Sequence, residues 1–124
     1  MLNKGNINNV NLIIEDVMEK ETEKLLKDTT VANFGKLNAD SKKEDIALGT
    51  LNMVMETIGV MVSLAVQNLR FKDVILTGNL IGFPRAFEMI KRLEKIQNVN
   101  FIIPENHEYA TALGAIVKLV NGEQ

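Results

Sequence analysis

Apolar positions recur at helical spacing in several stretches of the chain, with two short runs between them that have no such period. From Val10 to Leu26 the residues Ile13, Val17 and Leu25 fall roughly on one side, with Glu and Lys elsewhere, which predicts a first helix. The charged run from Glu15 to Lys27 is then its solvated face. Thr29 to Leu37 reads as an irregular or short extended connection. Ser41 and Glu44 have the spacing of a capping box, in which Ser41 accepts from an early backbone N–H and Glu44 reaches back. Beyond them Ala47, Leu51, Val54, Ile58, Val62, Ala65 and Leu69 run down one side of a predicted long helix. Its other side carries Leu48, Met53, Val60, Leu64 and Val66, and a helix apolar on two sides is buried on two sides. Gly49 and Gly59 within it permit close approach of a neighbouring backbone, while Met53, Met55 and Met61 read as core or interface filler.

The pattern then changes. Asp73-Val-Ile-Leu-Thr77 is a short apolar run that ends at Gly78-Asn79, and Val99-Asn-Phe-Ile-Ile103 is a second, stopped by Pro104. Between them lies a predicted helix with Pro84 in its first turn and Phe83, Phe87, Ile90 and Leu93 facing inward. A last helix is expected from about His107 to Val120, with Tyr109, Leu113, Ile116, Val117 and Val120 at core spacing. Strand, helix, strand over so short a distance predicts a βαβ unit with parallel strands and a right-handed crossover, hence the α/β class with a long buried helix beside it. Ligands in open α/β sheets sit at the carboxyl ends of the strands. Those ends are Thr77-Gly78-Asn79 and Pro104-Glu105-Asn106-His107, and the two loops should share one edge of the sheet. Two strands form a marginal sheet in water, so further elements are expected to cover it.

Composition narrows the chemistry. At 124 residues the chain is one domain or a piece of one, and 46% hydrophobic content is enough for a core. A net charge of −2 gives no reason to expect nucleic acid or an anionic membrane, and five Phe, one Tyr and no Trp offer little for base stacking. The absence of cysteine excludes disulfides, thiolate metal sites and cysteine nucleophiles, which fits a reducing compartment. Met1-Leu-Asn-Lys-Gly-Asn6 has no apolar core of signal-peptide length. The apolar region Ile46 to Leu69 is interrupted by Asn52, Glu56, Thr57, Ser63, Gln67 and Asn68, which a lipid-exposed span would carry at considerable cost. The expectation is a soluble, cytoplasmic protein without membrane or nucleic-acid partners.

Few residues invite a chemical role. Gly78-Asn79-Leu80-Ile81-Gly82 is neither a P-loop nor a GxGxxG and contains no lysine, so it reads either as a tight connection or as a ligand-side turn. Glu105, His107 and Glu108 form an acidic helix start, which complements the macrodipole. No second histidine is available for a zinc-type set, so no metal site is expected and His107 reads as a capping or surface residue. Glu56, the one charge between Ile46 and Leu69, has nothing adjacent to mark it as a catalytic base and reads as structural. Asn33-Phe34-Gly35-Lys36 is either a plain turn or a loop pressed against another lobe.

Four segments occur in an order that carries a resemblance: Val31-Ala-Asn-Phe-Gly-Lys36, Leu51-Asn-Met-Val-Met-Glu-Thr-Ile-Gly59, Val74-Ile-Leu-Thr-Gly78, and Glu105-Asn-His-Glu-Tyr-Ala-Thr-Ala-Leu-Gly-Ala115. Together they resemble the C-terminal half of type II pantothenate kinases. The resemblance implies half of an actin-like (ribonuclease H-like) ATPase fold, with residues 1–124 as the adenosine-side lobe and the N-terminal phosphate-binding lobe absent. It implies a fragment of a phosphotransferase that uses ATP with Mg²⁺ to phosphorylate pantothenate, the first step towards coenzyme A. The complete enzyme would be a homodimer binding ATP and pantothenate, and this chain would need the missing lobe or a complementary chain. By resemblance Gly78 and Asn79 touch the nucleotide, although the family often has serine where Asn79 stands. The Phe34-Gly35 loop would lie near the cleft or dimer contact, the long helix near the dimer interface, and Gly114-Ala115 in a close-packed turn. No residue here is assigned a catalytic role, because the Asp-x-Gly-Gly-Thr-type loop, the catalytic carboxylate and the second phosphate turn of the family do not occur in the sequence. Phosphoryl transfer rests on positioning and charge neutralisation, so the chain alone should be inactive. Two other readings stand beside this one: another actin-like kinase or activator ATPase lobe, and a non-catalytic dimerisation or regulatory module built around the long helix.

Overall fold

The computed structural model describes residues 2–18, 27–70 and 72–122. It is a mixed α/β protein with a small parallel sheet and a long helix, and it divides into two compact units, Met1–Val54 and Met55–Gln124. The long helix α2 (Lys43–Val66) contributes residues to both.

In the first unit, β1 (Leu12–Ile13) pairs antiparallel with β2 (Thr30–Ala32), and one helical turn, α1 (Ile14–Val17), follows β1. The helix expected from Val10 to Leu26 is therefore reduced to α1 within the described residues, and positions 19–26 of that expectation lie outside them. The reason is non-local. Ile14 N donates to Thr29 O, Glu15 N to Lys27 O, and Val10 O accepts from Lys36 N, so this backbone bonds to the return strand rather than to its own next turn. Asp16 holds the turn by accepting from Ile13 N at 2.8 Å and pairing with Lys36 Nζ at 2.6 Å. The backbone donor at Ile13, followed by the Lys36 ammonium, draws its carboxyl below the usual value.

The expected capping box at Ser41 is also corrected. Its hydroxyl turns back to the preceding loop, where it accepts from Asn38 N at 3.0 Å, and the first helical carbonyl is that of Lys42, bonded by Asp45 N and Ile46 N. The buried positions of α2 in this unit are Asp45, Leu48, Gly49, Leu51 and Asn52, at spacings of three and four. Asp45 is buried because it is fully used: Oδ1 accepts from Asn6 N at 2.7 Å and Oδ2 from Asn9 Nδ2 at 2.8 Å. Those bonds, the backbone one first, hold its pKa below the ordinary 3.8. Asn11, fully buried, accepts from Phe34 N at 2.9 Å and donates to Asn33 Oδ1 at 3.0 Å, and Asn52 Nδ2 reaches the same Asn33 oxygen at 3.4 Å. Phe34 has φ of 59° and lays its ring on Gly49, where an added Cβ would stand 3.0 Å from Cε1 and 2.9 Å from Val10 Cγ2. The close approach expected at Gly49 is real, and side chains make it.

In the second unit β3 (Asp73–Ile75) and β4 (Asn100–Ile102) pair in parallel, Val74 opposite Phe101, as the βαβ pattern predicts. Between them a 3-10 turn (Leu80–Gly82) leads into α3 (Pro84–Gln97), with Pro84 at its start, where its missing N–H costs nothing. Asn98 in the left-handed region ends α3. The inward face of α3 is Ala86, Ile90 and Leu93, and Ile81, Val99, Phe101 and Met55 are buried in the same unit. Phe83 and Phe87, expected inward, are exposed because the inward stripe begins one position earlier, at Ala86. Leu93 lies against Gly59 of α2.

The backbone of Phe101 faces away from β3, since its neighbours Asn100 and Ile102 make the bonds to that strand's side. Two side chains of α3 take the groups so presented. Glu94 Oε1 accepts from Phe101 N at 2.7 Å, and Lys91 Nζ, itself 2.7 Å from Glu94, donates to Phe101 O at 3.1 Å.

The chain continues through a 3-10 turn (His107–Tyr109) into α4 (Ala110–Val120). Its expected core residues are exposed: Tyr109 by 60%, Ile116 by 55% and Val120 by 79%. A Cβ on Gly114 would meet nothing within 4 Å, so the close-packed turn expected there is absent. Val60, Met61 and Leu64 of α2 are exposed likewise, so the burial of α2 on two sides is not met among the described residues. By length and composition alone α2 could also cross a membrane, a test that core helices of soluble proteins pass as well.

Candidate functional site

The carboxyl ends of the two parallel strands converge, as expected from their common direction. Beyond β3 the chain turns at Gly78, whose φ of 108° is a conformation other residues adopt only under strain. A Cβ there would meet nothing within 4 Å, so glycine is required by backbone shape and not by crowding. Beyond β4, Asn106 takes φ of 56° and brings His107 round to face that turn.

The two turns are joined twice. Gly78 N donates to the His107 carbonyl at 2.8 Å, and His107 Nδ1 lies 2.9 Å from the Gly78 carbonyl. A carbonyl oxygen can only accept, so Nδ1 carries the proton in this contact and the neutral ring leaves Nε2 as an acceptor. Gly82 admits the imidazole from the other side: a Cβ at that position would stand 3.1 Å from Cε1 and 3.7 Å from Nε2. Glu108 Oε2 is 3.6 Å from Nε2, an ion pair only when the ring is protonated.

Around this junction opens a pocket of about 320 Å³ lined by Asn79, Gly82, Phe83, His107 and Glu108. Its lining suits an uncharged, donor-bearing ligand group: one amide, one exposed aromatic face, an imidazole and a carboxylate, with no lysine or arginine among the lining residues. A polyphosphate would meet the Glu108 carboxylate there without a counter-charge. Among the described residues no group of three His, Cys, Asp or Glu could hold a metal ion.

Of the residues expected to matter, Asn79 lines the pocket, and Gly78 does not line it but is joined to the lining residue His107 by the paired bonds. Glu105 is exposed and does not line it. Glu56 is half-buried on α2. The Asn33–Lys36 loop, whose lobe-facing reading was left open, is engaged within its own unit through Asn11, Gly49 and Asp16. The residue misjudged from sequence is His107. It is neither a helix cap nor a free surface group but the tie between turns 29 positions apart. Its being the chain's one histidine was the available signal.

The family described as Fumble matches residues 1–118. No curated protein matches the chain. The family match corrects the resemblance drawn from the motifs: it supports a pantothenate kinase-like family as a whole, and the narrower identification as the C-terminal half of a type II enzyme is not retained.

Proposed function

The chain belongs to the Fumble family, which is pantothenate kinase-like, and on that premise we propose that it supplies the nucleotide-side part of an ATP-dependent pantothenate kinase. The observation that carries this reading is the convergence of the Gly78-Asn79 and His107-Glu108 turns around one pocket at the carboxyl ends of parallel strands. In this reading the small parallel sheet belongs to an actin-like fold. Asn79 offers an amide to the ribose or base, Phe83 offers an apolar face, and Gly78 keeps the backbone clear of the ligand.

The γ-phosphoryl is then handled elsewhere. The 124 residues hold no Gly-rich phosphate loop with a lysine, and the pocket offers no cation. Nor do the described residues offer a ligand group that fits Mg²⁺, so no step is derived through the ion here. The transfer to the pantothenate hydroxyl requires a partner lobe that brings phosphate donors and a base into line, because positioning and charge neutralisation are most of phosphoryl-transfer catalysis. A cytoplasmic, homodimeric enzyme is part of the same reading.

The test is calorimetric titration of ATP into the chain, followed by a coupled ADP-release assay with pantothenate, with and without a family lobe that carries the phosphate loop. The expected result is ATP binding by the chain and ADP release in the mixture only. Asn79→Trp, which fills the pocket, should abolish ATP binding. Undiminished ATP affinity in that variant would remove Asn79 from the site.

A second reading has its own observation. The exposed apolar side chains of α4, Leu113, Ile116 and Val117 among them, with Tyr109 just before it, favour an interaction module. Stable self-association without ATP binding would select it.

A further inference from the structure

We propose that His107, although its ring lines the pocket, acts as a positioning residue, which holds the Gly78-Asn79 turn in its ligand-ready conformation through Nδ1 rather than by a bond from Nε2 to the ligand. The inference rests on the reading that this turn meets a nucleotide, and it adds a residue and a mode of action to that reading.

The argument begins with the turn. Gly78 has an unusual φ and open space around it, so neither steric contact nor side-chain packing fixes its backbone. Glycine is also the residue with most conformational freedom to lose. Its N–H and its carbonyl nevertheless both go to one residue, His107: the amide to the backbone oxygen at 2.8 Å and the carbonyl to the ring at 2.9 Å. Two bonds from one partner set both peptide planes beside Gly78, and therefore the direction in which Asn79 leaves the turn. The ring is in turn seated against Gly82, where an added Cβ would stand 3.1 Å from Cε1 and push the imidazole by a few tenths of an ångström. Gly78, Gly82 and His107 thus form a single latch, whose moving part would otherwise be the glycine.

Amide substitutions separate the two ring nitrogens. The side-chain nitrogen of asparagine falls near the place of Nδ1, and that of glutamine near Nε2. His107→Asn can keep the donor to the Gly78 carbonyl, whereas His107→Gln moves its donor past it. The measurements are ATP affinity by calorimetry and hydrogen exchange at the Gly78 amide in the ligand-free chain, with circular dichroism to establish folding of each variant. For a latch, His107→Gln weakens ATP binding about tenfold and lowers Gly78 protection by a similar factor, as one lost hydrogen bond would. His107→Asn restores most of both.

The reverse order, glutamine retaining affinity and asparagine losing it, would mean that Nε2 meets the ligand directly and would overturn the proposal. Equal Gly78 protection in all three proteins would overturn it too, whatever happens to ATP. If the parent chain binds no ATP, the nucleotide reading fails, and the exchange data still decide separately whether His107 holds the turn.

Discussion

The buried amide of Asn11 gives the sharpest test of how the first unit is held together. Its orientation is fixed by its partners, since Phe34 N can only donate and must face Oδ1, which leaves Nδ2 for Asn33. Asn11→Ala removes both bonds from a position with no solvent access. At about 1 kcal/mol for each bond, plus part of the penalty for a stranded partner, the loss should be about 2–3 kcal/mol. With a urea dependence of about 1–3 kcal/mol per molar, the unfolding midpoint should fall by roughly 1–2 M. Asn11→Asp is more diagnostic. It keeps the acceptor for Phe34 N but sets a carboxylate oxygen against the Asn33 oxygen, at a place where the two atoms are now 3.0 Å apart. The variant should be as unstable as Asn11→Ala at pH 7. On acidification its deficit relative to the parent should shrink, because a protonated carboxyl regains a donor. Urea titrations at pH 7 and pH 4, with exchange at the Phe34 amide as the local probe, measure both effects. An Asn11→Ala deficit below about 0.5 kcal/mol, within the range of ordinary surface substitutions, would refute the reasoning.

Two further predictions concern the same unit. Gly49→Ala gains about 1 kcal/mol of helix propensity but drives a methyl against Val10 and Phe34, so it should lower stability by about 1 kcal/mol net, read from the shift in urea midpoint. Asp45 has a folded pKa below its ordinary 3.8, so it stabilises the fold above that value and the contribution is lost as pH falls through it. Asp45→Asn should accordingly flatten the decline in stability between pH 5 and pH 3, compared by urea midpoints at matched ionic strength.

The second unit was legible where the signals are local. An apolar run, a Gly-Asn turn, a proline at a helix start and a proline after the second run specify β3, α3 and β4 almost in isolation. The first unit was not, because its strands are made by distant partners: Leu12 with Ala32, and Ile13 with Thr30. The spacing of Ile13 and Val17 suits a helix as well as the short turn that forms. Burial was misjudged for a related reason. Periodicity identifies a face, as in Leu113, Ile116 and Val117, but not the body that would cover it, and here those residues are exposed. For the candidate site, strand direction alone foretold that the Gly78-Asn79 and His107 turns would share one edge. The bond from His107 to Gly78 could not be foreseen, since it depends on Asn106 taking a left-handed conformation that the residue type allows but does not require.

The side chains that Glu94 and Lys91 lay along β4 bear on how this sheet meets other chains. An unpaired strand edge is a template, and any extended peptide that finds it can add itself by backbone bonding. At Phe101 both template groups are already taken, by a carboxylate and an ammonium that together mimic one residue of a neighbouring strand. An incoming strand on that side would have to displace two charge-assisted bonds before forming its own. Recruitment of further strands on the β4 side, whether in assembly or in aggregation, is therefore opposed at Phe101. Glu94→Ala combined with Lys91→Ala should be the change that opens the β4 edge to strand addition.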